Sequence, residues 1–63
     1  MDDEEFYQHF CAIMRRLGSV KLKNIAASAN VSLPEARKSL NSLIKKGKIR
    51  KIGAGRSTAY TFS

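Results

Sequence analysis

Pro34, Arg37, Lys38 and Asn41 are the side chains of this chain best suited to touching the edges of bases. An Arg bonds the O6 and N7 of guanine with two parallel N–H groups, and an Asn does the same with N6 and N7 of adenine. Wound as a helix at about 100° per residue, the stretch places Pro34, Lys38, Asn41, Ser42 and Lys45 on one side, with Arg37 on its flank. That side is cationic, bears an amide and carries no large apolar group. Two readings of it stand: a surface that enters a major groove, or an ordinary solvated helix face.

A second candidate is Gly53-Ala54-Gly55-Arg56-Ser57. Small neighbours let Arg56 approach a surface closely. A narrow A·T-rich minor groove has an enhanced negative potential that draws in such an Arg. The plainer alternative is an exposed Arg that meets a phosphate. Gly55 and Ser57 share its setting. Around these two segments lie groups suited to phosphate: Lys21 and Lys23, then Ser32 and Ser42, then Lys45, Lys46, Lys48, Arg50 and Lys51. Other chemistry lacks its parts. There is no nucleophile–base pair, no phosphate-loop motif and no paired carboxylates outside the acidic start, so no enzyme activity is expected. His9 and the single Cys11 have no partner within helical reach, and no spacing suits a metal. No cofactor and no small-molecule substrate are expected.

Charge is segregated. Twelve Lys and Arg oppose five acids, a net of +7, and Asp2, Asp3, Glu4 and Glu5 precede every base. From Arg15 onward Glu35 alone opposes all twelve bases, leaving +11. Such an excess selects a polyanion, and nucleic acid before a membrane surface, because the apolar stripes are committed to a core. No apolar run reaches membrane-spanning length. The acidic start does not read as a signal peptide, and a lone Cys fits a reducing interior, so an intracellular protein is expected.

Sixty-three residues make one domain over 1–63, with room for a single core. The acidic start leads a first helix running to about Leu17, with Phe6, Phe10, Ile13 and Leu17 on its inner face, Met14 at the edge and Gly18 ending it. Ser19-Val20-Lys21 links to a short helix over Leu22 to Ala29, whose inner side is Leu22, Ile25, Ala26 and Ala29. Asn30 tolerates the left-handed turn that must follow. The third helix spans Ser32 to Lys46. Ser32 and Glu35 form a capping box, Pro34 sits in the first turn, and Gly47 offers a left-handed cap. Its stripe is Ala36, Leu40, Leu43 and Ile44. Lys48 to Ile52 and Thr58 to Phe62 then read as a hairpin, with Tyr60 and Phe62 sharing a face. Ile49 and Ile52 do not alternate, so either the strand bends or Ile52 packs outside the hairpin.

This order resembles the winged helix-turn-helix DNA-binding superfamily over nearly the whole chain. The resemblance is carried by Ile25-Ala26, Asn30-Val31-Ser32, Ala36, Leu40, Leu43, Gly47-Lys48-Ile49 and the tip ending Ser57-Thr58-Ala59-Tyr60. It implies an α+β fold, three helices with a small antiparallel hairpin wing. It also implies that helix 32–46 enters the major groove and that tip 53–57 touches the minor groove or backbone. Leu40 to Ile49 is also similar to the matching run of winged helices that bind left-handed nucleic acid. Those use an Asn and a Tyr one turn apart and prolines in the wing, whereas here Arg37 and Asn41 stand on the helix and the wing has no proline. The shared residues are core and cap residues, so Z-form binding is not the reading adopted.

The expectation is a small transcriptional regulator that binds double-stranded DNA. With one short reading helix, it would act as a homodimer or beside a larger DNA-binding protein. The alternative is a winged-helix module that binds another protein.

Overall fold

The computed structural model describes every residue from Met1 to Ser63. Helix α1 spans Asp3–Leu17, α2 Leu22–Ala29 and α3 Leu33–Lys45; strand β1 spans Ile49–Ile52 and β2 Ala59–Phe62. This is the α+β arrangement expected, three helices followed by an antiparallel hairpin.

Local chemistry fixes each boundary. The Asp2 carboxylate accepts the Glu5 N–H at 2.8 Å and starts α1, and Gly18 ends it at φ 77° by donating to the Met14 carbonyl. Asn30, at φ 57°, ends α2. Its N–H donates to the Ala27 carbonyl, and the Val31 N–H reaches the Ala26 carbonyl. This pair of hydrogen bonds is a Schellman cap, and it makes the tight turn between α2 and α3. The same pattern closes α3, with Gly47 at φ 79° donating to Ile44 and Lys48 donating to Leu43. At the start of α3 the Ser32 hydroxyl oxygen accepts the Glu35 N–H at 3.3 Å. The return bond of the expected capping box is not made; the Glu35 side chain stays in solvent, where its charge still suits the helix dipole.

The three helices enclose one core. Phe6 and Phe10 come from α1, Ile25, Ala26 and Ala29 from α2, and Ala36, Leu40 and Leu43 from α3. Ile49 and Tyr60 close it from the hairpin, and Val20 from the link. The small residues of α2 let α3 approach closely. Leu17 departs from expectation: it is 63% exposed, because α1 runs past the end of the core before Gly18 stops it.

The hairpin pairs Ile49 with Phe62, Arg50 with Thr61, Lys51 with Tyr60 and Ile52 with Ala59. Val20 adds an isolated bridge to Tyr60, bonded in both directions at 2.8 and 2.7 Å. β2 therefore lies between Val20 and β1. Partners directly opposite share a face. Ile49, Phe62, Lys51 and Tyr60 therefore share one face, on which Ile49 and Tyr60 join the core while Lys51 is exposed, and Ile52 and Ala59 lie on the other. Of the two alternatives for Ile52, packing outside the hairpin is the one realised. Phe62 shares the face of Tyr60 as expected but is 42% exposed. It packs edge-on against Phe10 and Tyr7, with ring centres 5.8 and 6.2 Å away.

Candidate nucleic-acid interface

Helix α3 turns three sides to three surroundings. Ala36, Leu40 and Leu43 are buried and Ile44 half-buried against the core. Pro34, Lys38, Asn41 and Lys45, about 100° or more around the helix from Leu40, are exposed, as is Arg37 on the flank. The base-reading candidates therefore form one solvent-facing surface that no other element covers. Ser32 lies at its head. Its oxygen accepts the cap bond, which leaves the hydroxyl proton free to donate.

The third side meets α1. The Asp3 carboxylate accepts the Ser42 hydroxyl proton and, through the same Oδ2, the Lys46 ammonium at 3.0 Å. Sequence reasoning grouped Ser42 and Lys46 with the phosphate contacts; the fold gives them this partner, 39 and 43 residues away. The Ser42 hydrogen bond, then the Lys46 hydrogen bond and charge, hold the Asp3 carboxyl below its ordinary value. A depressed folded-state value means that the contact stabilises the fold above the unfolded carboxyl pKa. That contribution disappears as pH falls through the folded value. No signal in the sequence marks Asp3 for this role beyond its place in an acidic first turn.

The wing tip is a closed structure. Between the strands, Gly55–Ser57 forms one turn of 3-10 helix. The Ser57 N–H donates to the Ala54 carbonyl at 3.1 Å, and the Thr58 hydroxyl to the Gly55 carbonyl at 2.8 Å. Arg56 sits in the middle of that turn, exposed, with Gly55 and Ser57 exposed beside it. Gly53 makes the turn possible. At its φ of 77° an added Cβ would lie 2.5 Å from the Ser57 carbonyl oxygen, whereas one on Gly55 would meet nothing. Gly53→Ala is accordingly expected to cost about 1–3 kcal/mol and to open the tip. Gly55→Ala should cost less, since only its φ of 57° opposes a side chain. Denaturant unfolding of the two variants checks this; equal losses would mean that the contact to Ser57 does not hold the turn.

The other phosphate candidates lie at the start of α2 and along the chain from α3 into β1. Lys21 precedes α2, and Lys23 lies in its first turn, both exposed. Lys48 is exposed, with its ammonium nitrogen over the Tyr7 ring, 5.1 Å from the ring centre. Arg50 and Lys51 continue along β1 toward the tip, exposed. Lys46 with Asp3 is the one ion pair in the structure, so eleven of the twelve Lys and Arg have no acidic partner. No group of three or more His, Cys, Asp or Glu is placed to hold a metal. No helix is long and apolar enough to cross a membrane.

Known proteins place this arrangement. Residues 1–63 match the family described as transcriptional regulator DIP2311-like, C-terminal domain. Among solved structures, the crystal structure of the DIP2311 protein from Corynebacterium diphtheriae aligns with a TM-score of 0.84 over 98% of this chain, at 21% identity. The likeness shows a shared fold. The aligned part is 11% of that protein's chain, so the present chain corresponds to a small fraction of its length. No curated protein matches the sequence.

Proposed function

The chain belongs to the transcriptional regulator DIP2311-like C-terminal domain family, and from that premise we propose that it binds double-stranded DNA inside the cell. In this reading α3 enters the major groove with Arg37, Lys38 and Asn41 toward base edges and Pro34 alongside. The wing tip, Gly55 to Ser57, lies at the minor groove or backbone. Lys21, Lys23, Ser32, Lys45, Lys48, Arg50 and Lys51 meet phosphates. The observation that carries the proposal is the eleven cations without an acidic partner, Arg37, Lys38 and Lys45 among them exposed on a helix face that no other element covers. A domain that buried these charges against its own acids would have nothing left for a polyanion. The role is recognition and not catalysis. One helix of 13 residues reads few bases, so useful specificity requires a second copy or a larger DNA-binding protein beside it.

Titration of the domain with random and A·T-rich duplexes at low salt, followed by NMR, tests this. Amide shifts are expected along α3 at Arg37, Lys38 and Asn41, and at Arg56, and they should vanish as salt is raised. Shifts confined to Asp2 to Phe10 would mean that α3 and the wing are not the binding surface. No shift at low salt would end the DNA reading.

A further inference from the structure

Asp3 is the sole acid that meets a base, and the base it meets stands on the reading helix. Ser42 and Lys46 are one turn apart on the same flank, so a single oxygen can take both donors. A hydroxyl and an ammonium converging on one anionic oxygen is also how a protein holds a DNA phosphate. Asp3 is held in place to do this. It is the first residue of α1, behind the Asp2 cap, and Phe6, buried one turn on, anchors the helix to the core. The pair is not sealed away: the Lys46 side chain is 54% exposed and that of Asp3 28%. Asp2, Glu4 and Glu5 form no such contact, since Asp2 caps its own helix and the glutamates are exposed.

We propose that Asp3 is a specificity-determining residue: its carboxylate takes the position of a DNA phosphate and withdraws Ser42 and Lys46 from backbone contact. This rests on the DNA-binding reading above. A phosphate that sought these donors would have to displace a carboxylate tethered beside them, which competes at high effective concentration. Backbone contacts add affinity without adding sequence information. Removing two of them lowers the affinity for any duplex and leaves a larger share to Arg37, Lys38 and Asn41. A lysine already neutralised within the protein also releases no counterion from DNA, so Lys46 adds nothing to the salt dependence.

The test is binding to a random duplex over a range of salt. It uses the parent, Asp3→Asn, Glu4→Gln, Lys46→Ala and the Asp3→Asn, Lys46→Ala double variant. Asp3→Asn is expected to bind about three- to tenfold tighter and to steepen the log–log salt slope by about 0.9, one added phosphate contact. Lys46→Ala should leave the parent's slope unchanged and remove the added slope from Asp3→Asn. Glu4→Gln, which deletes a charge in the same helical turn, should change affinity less and leave the slope alone. Equal tightening by Asp3→Asn and Glu4→Gln would reduce the effect to net charge and overturn the proposal. So would a flatter slope for Lys46→Ala in the parent, which stands as a test even if Asp3→Asn fails to fold. If the parent binds and Asp3→Asn binds more weakly, the contact orders the interface instead of masking it. If neither the parent nor any variant binds, the DNA reading itself has failed.

Discussion

Leu40→Ala is expected to unfold the domain or bring it to the edge of unfolding. Leu40 is fully buried at the middle of α3, in a core shared by all three helices and the hairpin. Truncating a buried Leu removes its transfer free energy and leaves a cavity, together about 2–5 kcal/mol. At about 0.05–0.15 kcal/mol per residue, a chain of 63 residues holds roughly 3–9 kcal/mol in total. The core offers little means of closing the gap, since Ala26, Ala29 and Ala36 already bring the backbones close. Thermal unfolding followed by circular dichroism measures the effect, with Ile44→Ala, at a half-buried position, as a milder comparison. A Leu40→Ala variant that melts within a few degrees of the parent would mean that α3 is not the element on which the core depends.

Arg37→Ala and Arg56→Ala are expected to weaken binding in different ways. Arg37 stands on the flank of the uncovered α3 face. If it bonds a base edge, its loss costs about 1–3 kcal/mol on a preferred site and less on random duplex. Arg56 is held at the tip of a closed turn, pinned by Gly53 and by the Thr58 hydroxyl. An Arg so presented senses groove width, and its loss should harm A·T-rich duplexes more than G·C-rich ones. Lys45, exposed on the same face of α3, is the reference for a phosphate contact: Lys45→Ala should weaken every duplex alike and reduce the salt slope by about one. Affinities on A·T-rich, G·C-rich and random duplexes at two salt concentrations separate these patterns. Identical losses for the three variants on all duplexes would reduce the surface to a nonspecific cation patch.

Local signals carried most of the fold into the sequence. Gly18, Asn30 and Gly47 each take the left-handed conformation that a helix end demands. Pro34 and Ser32 mark the start of α3 through groups that act within four residues. Periodicity identified the core side of α3 because each of those side chains is buried by its own position on the helix. It failed for Leu17, which fits the stripe but lies beyond the neighbouring elements; a helical pattern does not show where its partner ends. The register of the hairpin was ambiguous for a similar reason. Ile52 is half-buried on the outer side opposite Ala59, a burial that alternation does not foresee. The candidate interface was visible as a cluster of cations, but the Asp3 contact was not. A hydrogen bond across 39 residues depends on how α1 crosses α3, and no local spacing records that.

The position of β2 in the sheet sets the order in which the domain can assemble. Val20 has one backbone partner, Tyr60, and β1 pairs with the same strand on its other side. The hairpin itself closes over residues 53–58, but the Val20 pairing waits on closing a loop of about forty residues. Closing that loop carries an entropy cost that local helix formation does not. The helices and their caps draw on neighbours within a turn or two and can form early. The Val20 bridge is then the late step, and hydrogen exchange should find the Val20 and Tyr60 amides tied to the same cooperative opening although they lie forty residues apart in the sequence.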